Sequence, residues 1–336
     1  MRARLAVKAT VPAVMLFCWL GFGATAATAT TTLPCATTGE SDVCLLTATG
    51  NTLNANGGQR GIDVQNGKIV VNSTDSAAEQ ASGGSYVDAK DGNFEAGGYT
   101  ATGGSVFNPI PVSGYVTTNP FAPITGTEPA GQCYTSSSNT TPVGSPGSCT
   151  VSGSSTTYYA APGTYSTLAA MGNGTLYLEP GNYVITNSLT ASPGTIIGAG
   201  VTIHFTGNAS ANFQGGSTVQ LADPSGPNGI LFYYDTSDTN NSGLDIGPAS
   251  VVLDGQVVGA GIGVLVQGNP PNYGDITGTL LADSLNVHSS GLLTVGCPPS
   301  APVKMSARKP SKKQPNACVA AALRHLKHQQ HKRHHK

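Results

Sequence analysis

Short runs in which apolar and polar residues alternate recur along the chain, and they constrain the fold more than any other feature. Such runs occupy residues 201–205 (VTIHF), 218–221 (TVQL) and 250–253 (SVVL). A period of two over three to five residues indicates short strands with one buried face. Pro-Gly, Asn-Gly and Gly-Gly turn signals separate the runs, and no long amphipathic helical pattern precedes residue 316. The chain is therefore predicted to be all-β.

A repeated phrase indicates how the strands are arranged. Pro-Gly-x-Tyr at 162–165 returns at 180–183, eighteen residues later. This interval predicts one coil of a β-solenoid, with Pro-Gly at a corner and each tyrosine stacked on its equivalent. We therefore predict a right-handed parallel β-helix with irregular coils over residues 35–297. Pro193-Gly194 breaks the interval, so an irregular β-sandwich is the alternative fold.

Two kinds of segment interrupt or end the predicted solenoid. Residues 124–157 are rich in Ser, Thr, Gly and Pro, and they are predicted to form a long surface loop within the same domain. The open ends of a solenoid expose unpaired backbone and need covering. The segments after Cys35 and after Cys297 are the predicted caps.

The amino terminus and the cysteines predict export. Residues 1–26 combine Arg2, Arg4 and Lys8 with an apolar run and small residues, as secretory signals do. An uncleaved anchor is the alternative, but the strongly apolar part, residues 11–22, is shorter than the roughly 20 residues of a spanning helix. No transmembrane span is expected after cleavage, and the predicted location is extracellular or the cell envelope.

Six cysteines follow the signal, an even number typical of disulfides in exported chains. They are Cys35, Cys44, Cys133, Cys149, Cys297 and Cys318. Sequence permits fifteen pairings, and proximity favours 35–44, 133–149 and 297–318. Metal binding is the weaker interpretation, because no Cys-x-x-Cys spacing occurs.

Charge divides the chain into an acidic body and a basic tail. Residues 27–300 contain all 17 acids and three basic residues, whereas residues 301–336 contain ten basic residues and no acid. The tail, residues 298–336, is predicted to begin a short helix at Asn316 and to contact anions: a cell-wall polymer, a surface glycan, lipid head groups or the acidic body of a neighbouring molecule. Nucleic acid is not expected as a partner. The candidate anion contacts are Lys304, Arg308, Lys309, Lys312, Lys313, Arg324, Lys327, Lys332, Arg333 and Lys336.

Histidines recur every three residues in the same tail. A zinc or nickel site is one interpretation of this spacing, and a pH-dependent cationic segment is the other. The four histidines are His325, His328, His331 and His334. No cofactor is predicted elsewhere.

Several stretches of the body resemble the extracellular β-helical region of TadG-like proteins, which belong to the bacterial tight-adherence pilus-assembly group. The similar stretches are residues 61–78, 97–104, 108–124, 178–207 and 229–235. The resemblance implies a β-helical surface domain whose biochemical role is undefined. The chain departs from that family in its signal-like amino terminus and its additional basic tail.

Residues that could carry chemistry are few, and they do not form a recognisable catalytic set. Paired carboxylates for glycoside hydrolysis could come from the acids between 235 and 254, although the first two are also typical of a solvated turn or a calcium site. Polysaccharide lyases of this shape need a basic residue, and the body has three. Two histidines lie on the outward phase of strands without an evident nucleophile. These candidates are Asp235, Asp238, Asp245 and Asp254; Arg60, Lys68 and Lys90; and His204 and His288.

The sequence thus favours a non-enzymatic exported scaffold for adhesion or for contact with matrix or cell wall. A β-helical polysaccharide lyase or glycosidase is the first alternative. An ice-binding solenoid that uses threonine rows is the second, although no regular Thr-x-Thr ladder is visible along the chain.

Overall fold

The computed structural model describes residues 31–35, 40–58, 60–124, 127–138, 141–154, 156–235, 243–268 and 273–296. Thirty strands and one short 3-10 helix, Gly226–Asn228, lie within these ranges. The predicted signal and basic tail, with the third cysteine pair, fall outside the described residues. No helix in the described ranges is long and apolar enough to cross a membrane.

The strands fall into three groups along the chain. The first group is β1 Thr31–Thr32, β2 Val43–Leu45, β3 Leu53–Asn56, β4 Gly61–Val64, β5 Ile69–Val71, β6 Glu79–Ser82, β7 Tyr86–Ala89, β8 Asn93–Glu95, β9 Tyr99–Ala101, β10 Val106–Asn108, β11 Val112–Ser113 and β12 Tyr115–Val116. The second is β13 Cys133–Tyr134, β14 Pro142–Val143, β15 Ser148–Val151, β16 Thr157–Ala160, β17 Gly163–Leu178, β18 Gly181–Ala199, β19 Val201–Phe205, β20 Ser210–Phe213 and β21 Thr218–Ala222. The third is β22 Ile230–Tyr234, β23 Leu244–Ile246, β24 Ser250–Asp254, β25 Gln256–Val258, β26 Gly263–Gln267, β27 Tyr273–Ile276, β28 Leu280–Ala282, β29 Ser284–His288 and β30 Leu293–Val295.

These strands form a parallel β-solenoid of about ten turns, as predicted. Most coils consist of three strands, and each strand pairs in parallel with the strand three places further along the chain, as β19 does with β22 and β22 with β25. The two long strands, β17 and β18, each run through the three faces of a coil. Inward residues from successive coils make one continuous apolar cluster, so no single coil needs a complete core.

The coils do not stack in chain order. Strand β2 pairs with β28 on one side and with β5 on the other, and β3 and β4 lie in the same way between β29 and β6 and between β30 and β7. The stack therefore runs from β15 through β30 and continues into β2 to β11. The prediction that the segment after Cys35 caps an open end is wrong, because this segment is a coil within the stack and both its edges are paired.

The repeated Pro-Gly is a corner, as the sequence suggested, but the coil is longer than the repeat. Gly163 pairs with Tyr183, so successive coils are twenty residues apart rather than eighteen. Gly181 has φ of 141°, a conformation that side chains rarely adopt, and a Cβ on it would collide with the Pro162 ring. Proline of one coil thus packs directly against glycine of the next.

The two tyrosines of the repeat fasten this corner. The Tyr165 hydroxyl donates to the Ala161 carbonyl at 2.6 Å, and the Tyr183 hydroxyl donates to the Glu179 carbonyl at the same distance. Their buried rings stack with centroids 6.1 Å apart, although the strand register pairs Tyr165 with Ile185 and not with Tyr183 as the repeat predicted. Each hydroxyl satisfies a backbone acceptor four residues earlier, which explains why the phrase needs tyrosine rather than phenylalanine.

One face of the solenoid is covered on its outside. Its strands, including β2, β5 and β28, are buried on both sides, so they appear in the sequence as continuous apolar runs rather than alternating ones. Phe121 and Ile124 pack against outward side chains of this face, and β12 pairs with β1. The Asn72 side-chain amide donates to the Thr117 carbonyl at 2.8 Å. Residues 114–124, which we call the strap, lie along this face.

Two disulfides hold the coverings in place. Cys35–Cys44 joins the chain beside β1 to the covered face, and Cys133–Cys149 joins β13 to β15. These are the pairings that proximity favoured. The predicted loop 124–157 contains β13 to β15, and β13 pairs antiparallel with β16 at the end of the stack. This segment is therefore not a simple surface loop, because part of it supplies the terminal coil and its cover.

Candidate ligand-binding surface

The face formed by β16, β21, β24 and the last parts of β17 and β18 carries a column of hydroxyl side chains. Thr157 aligns with Thr175, Thr175 with Thr195, and Thr195 with Thr218. Ser250 continues the column on the next coil. All five are half-buried side chains on the outward phase. Because neighbouring strands lie about 4.8 Å apart, the hydroxyls form a regular ladder, which we call the threonine ladder.

A second, mainly apolar column runs two residues beyond the ladder. It begins with Tyr159 and Tyr177, whose rings stack with centroids 5.2 Å apart and planes 14° apart. Ile197 and Val252 follow at the equivalent register on later coils, with Gln220 between them. Burial, with the neighbouring Tyr159 as a smaller cause, raises the pKa of Tyr177, so its phenol stays neutral at physiological pH. Rings and hydroxyls thus lie side by side on one sheet face.

The opposite end of the same face is acidic rather than hydroxyl-rich. The aromatic and aliphatic column continues into Asp275, Thr294, Asp63 and Asp88 on successive coils. Asp275 accepts a hydrogen bond of 3.0 Å from the Thr294 hydroxyl, and burial raises its pKa to about 7, to which the charge of Asp254 adds. Asp275 is fully buried, so it cannot contact a ligand outside the molecule.

The remaining face, formed by β3, β6, β20, β23, β26 and β29, presents amides. Its outward column includes Asn212, Asp245, Asn286, Asn54 and Gln80. Burial raises the pKa of Asp245, and hydrogen bonds from Gln214 and Gln267 oppose this shift. Asp245 is thus held between two glutamines of its own face, without a second carboxylate among its charge partners.

The described members of the predicted carboxylate set do not converge. Asp245 lies on β23, Asp254 ends β24 on the next face, and Asp235 follows β22 on the covered face; Asp238 lies outside the described residues. The Thr277 hydroxyl donates to Asp254 at 2.7 Å. Sequence reasoning did not single out Asp223, which interacts electrostatically with Asp254 and accepts a 3.0 Å hydrogen bond from Thr202.

Two of the basic and histidine candidates, Lys68 and His204, contact other side chains of the protein. Lys68 makes 2.9 Å ion pairs with Glu40 and Asp42, which ties the segment before β2 to β5. His204 is on the outward phase of β19, as expected, but it is 8% exposed and its ring lies 5.3 Å from that of Tyr233. Burial lowers the pKa of His204, so the imidazole is neutral near pH 7. Arg60, Lys90 and His288 join no acidic cluster within the described ranges.

The tail candidates cannot be placed on this surface. The ten basic residues, from Lys304 to Lys336, and the four histidines, from His325 to His334, lie outside the described residues. Across the part of the chain that is described, no group of three or more His, Cys, Asp or Glu side chains is arranged to hold a metal ion. The threonine ladder extends over five described coils beside its tyrosine pair, whereas a second hydroxyl column extends over four: Ser148, Thr167, Ser188 and Ser210.

Comparison with protein-family models, with characterised proteins and with solved structures finds no significant match for this chain.

Proposed function

We propose that the protein is a non-enzymatic, exported scaffold that binds an extended cell-wall or surface glycan along its threonine ladder. The single observation that carries this proposal is the alignment of four threonines and a serine on consecutive coils beside the stacked Tyr159 and Tyr177 rings. Two disulfides and the predicted signal favour an oxidising compartment. The TadG-like resemblance is a further hypothesis that agrees with a surface location.

A rigid ladder suits a polymer with repeating hydroxyls. Each threonine hydroxyl donates one hydrogen bond and accepts others. The half-buried Tyr159 offers the more accessible ring of the stacked pair, because Tyr177 is 8% exposed. The side chains are fixed by strands paired on both sides, so binding orders little of the protein. Repeated weak contacts along one polymer then add through avidity.

Retention on insoluble cell-wall polysaccharide tests this proposal. We expect the double variant Tyr159→Ala and Tyr177→Ala to bind at least about tenfold more weakly, which corresponds to about 1.4 kcal/mol. Tyr99→Ala is the control, because Tyr99 is 40% exposed on β9, near the end of the stack that is distant from the ladder. Equal retention of the wild type, the double variant and the control would show that the ladder is not part of the binding surface.

Ice binding is the second candidate, and the same column favours it. No regular Thr-x-Thr ladder is visible in the sequence, because each coil contributes one hydroxyl and the column runs across the coils rather than along a strand. Thermal hysteresis measured with the wild type and with Thr195→Tyr separates the two candidates. Hysteresis that Thr195→Tyr abolishes would favour ice over glycan, whereas no hysteresis together with polysaccharide retention would favour glycan.

The same proposal makes two further statements: the protein does not catalyse a reaction, and its basic tail contributes to retention. The dispersal of Asp235, Asp245 and Asp254 over different faces supports a scaffold, and turnover of any acidic glycan in a panel would contradict it. We propose that the basic tail aids retention by contacting anions of the cell envelope. Deleting residues 301–336 should release the folded protein from the envelope fraction, and unchanged retention would contradict this role.

A further inference from the structure

The interior of the solenoid becomes polar near one end of the stack. Asn93 and Glu95 occupy the inward positions that Ile69 and Val71 fill one coil earlier. Glu79 occupies the inward position that follows Leu53. The three polar side chains are at most 1% exposed. Acidic and amide groups have thus replaced aliphatic ones inside the apolar column, where an uncompensated charge is costly.

Each of these side chains has one satisfied atom and one unsatisfied oxygen. The Asn93 amide nitrogen donates to Glu79 Oε2 at 2.9 Å, and the Ser113 hydroxyl donates to Glu95 Oε1 at 3.0 Å. Glu79 Oε1, Asn93 Oδ1 and Glu95 Oε2 are buried and have no hydrogen-bond partner among the described residues. All three atoms without a partner are oxygen acceptors.

The three side chains share one small region. Asn93 contacts Glu79 directly, and Glu79 also interacts electrostatically with Glu95. Among the described residues, no positive side chain contributes to the electrostatics of Glu79 or Glu95. Two carboxylates in one buried region without a cation repel each other, so the region favours a bound positive charge.

We propose that Glu79, Glu95 and Asn93 form a calcium site inside the solenoid, in the coil that contains β6 and β8. Calcium binds carboxylate and amide oxygens and accepts variable geometry, whereas magnesium needs a near-ideal octahedron. Thiol and imidazole groups are missing from this set, so zinc is disfavoured. Two carboxylates balance the charge of one divalent cation.

The site lies close to one end of the stack, and its small set of protein ligands limits its affinity. Among the described strands only the two-residue β11 pairs beyond β8, so the site is one coil from the end of the stack. Bound water would complete the coordination shell of six to eight oxygens. With three protein side chains, we expect a dissociation constant on the order of 10⁻⁴ M, as in extracellular calcium modules.

Calcium titration of the mature, disulfide-bonded protein tests the site. After EDTA treatment and dialysis, calorimetric titration with CaCl₂ should give one saturable site per chain. At calcium concentrations about 100-fold above the dissociation constant, the melting temperature should rise by about 5 °C. MgCl₂ should give a smaller rise, and KCl at equal ionic strength should give none.

Glu79→Gln and Glu95→Gln should each abolish the saturable heat and the calcium-dependent rise. Asp88→Asn is the matched control, because Asp88 is an outward acid on the neighbouring strand β7, and it should bind calcium like the wild type. The wild-type titration needs no variant to fold, so it decides by itself. Absence of saturable calcium heat, with one melting temperature in EDTA and in calcium, would overturn the proposal and show that protons or water satisfy these oxygens.

Discussion

The junction between the last and the first coils is predicted to be the weakest point of the stack. Leu285 on β29 packs over Leu53 on β3, although the two residues are far apart in the chain. Leu189 on β18 occupies the same inward column. The coils on either side of it follow one another along the chain as well as in the stack. Both leucines are completely buried, so Leu285→Ala and Leu189→Ala make the same chemical change at a junction and at a continuous site.

Each substitution should reduce the free energy of unfolding by about 3 kcal/mol, the middle of the range for a fully buried leucine. The two variants should differ in which coils lose stability, because neighbouring coils of a solenoid stabilise one another pairwise. At the junction no covalent continuity connects the two coils directly, so Leu285→Ala should allow the coils of residues 43–113 to open separately. Leu189→Ala should leave their opening unchanged.

Hydrogen exchange measures this difference. The amide of Leu280 donates to the Asp42 carbonyl at 2.8 Å, so its protection reports on contact across the junction. In Leu285→Ala this amide should exchange about 100-fold faster, since 1.4 kcal/mol corresponds to a factor of ten. In Leu189→Ala it should exchange as in the wild type. Equal acceleration in both variants would show that the stack unfolds as one unit, and it would refute a weak junction.

Three further outcomes follow from single contacts. Gly181→Ala should lower the free energy of unfolding by more than about 1 kcal/mol in urea titration, because a methyl group would strike Pro162 and φ is positive. Tyr183→Phe should cost about 1–2 kcal/mol through the unsatisfied Glu179 carbonyl, and no loss would show that this bond adds nothing. Asp275 faces Asp254 and Thr294, and Asp63 lies one coil beyond Thr294. Burial raises the folded-state pKa of Asp275 to about 7, above its ordinary value. The stability that its protonated form contributes is therefore complete below pH 4 and is lost as pH rises through 7. Asp275→Asn should remove that loss, and a stability difference independent of pH would contradict the assignment.

Much of the fold could be predicted because inward columns are local. The alternation at residues 201–205 identifies Val201, Ile203 and Phe205 as inward, and all three are buried. The Pro-Gly phrase identified a corner from residue chemistry alone. Both features depend only on a strand and its adjacent turn, which short stretches of sequence specify.

The stacking order could not be predicted from such patterns. Periodicity shows which side of a strand is buried but not which strand lies above it. The local sequence of β28 therefore does not reveal whether β28 pairs with β2 or lies at an open end of the stack. The threonine ladder was hidden for the same reason. Thr175, Thr195 and Thr218 are separated by unequal intervals, and only the pairing register brings them into one column.

The covered face, the ladder and the polar interior are consequences of one geometry. A solenoid coil has three outward faces, and the strap removes one of them from water, because the side chains of Val70 and Leu281 point outward and would otherwise be exposed. Two faces are left for a ligand, and only one combines aromatic rings with aligned hydroxyls. The proposed calcium site lies in the interior instead, where Glu79 and Glu95 occupy inward positions near one end of the stack. The two proposed sites are thus separated by the wall of the solenoid, so substitutions at the ladder should leave the proposed calcium binding unchanged.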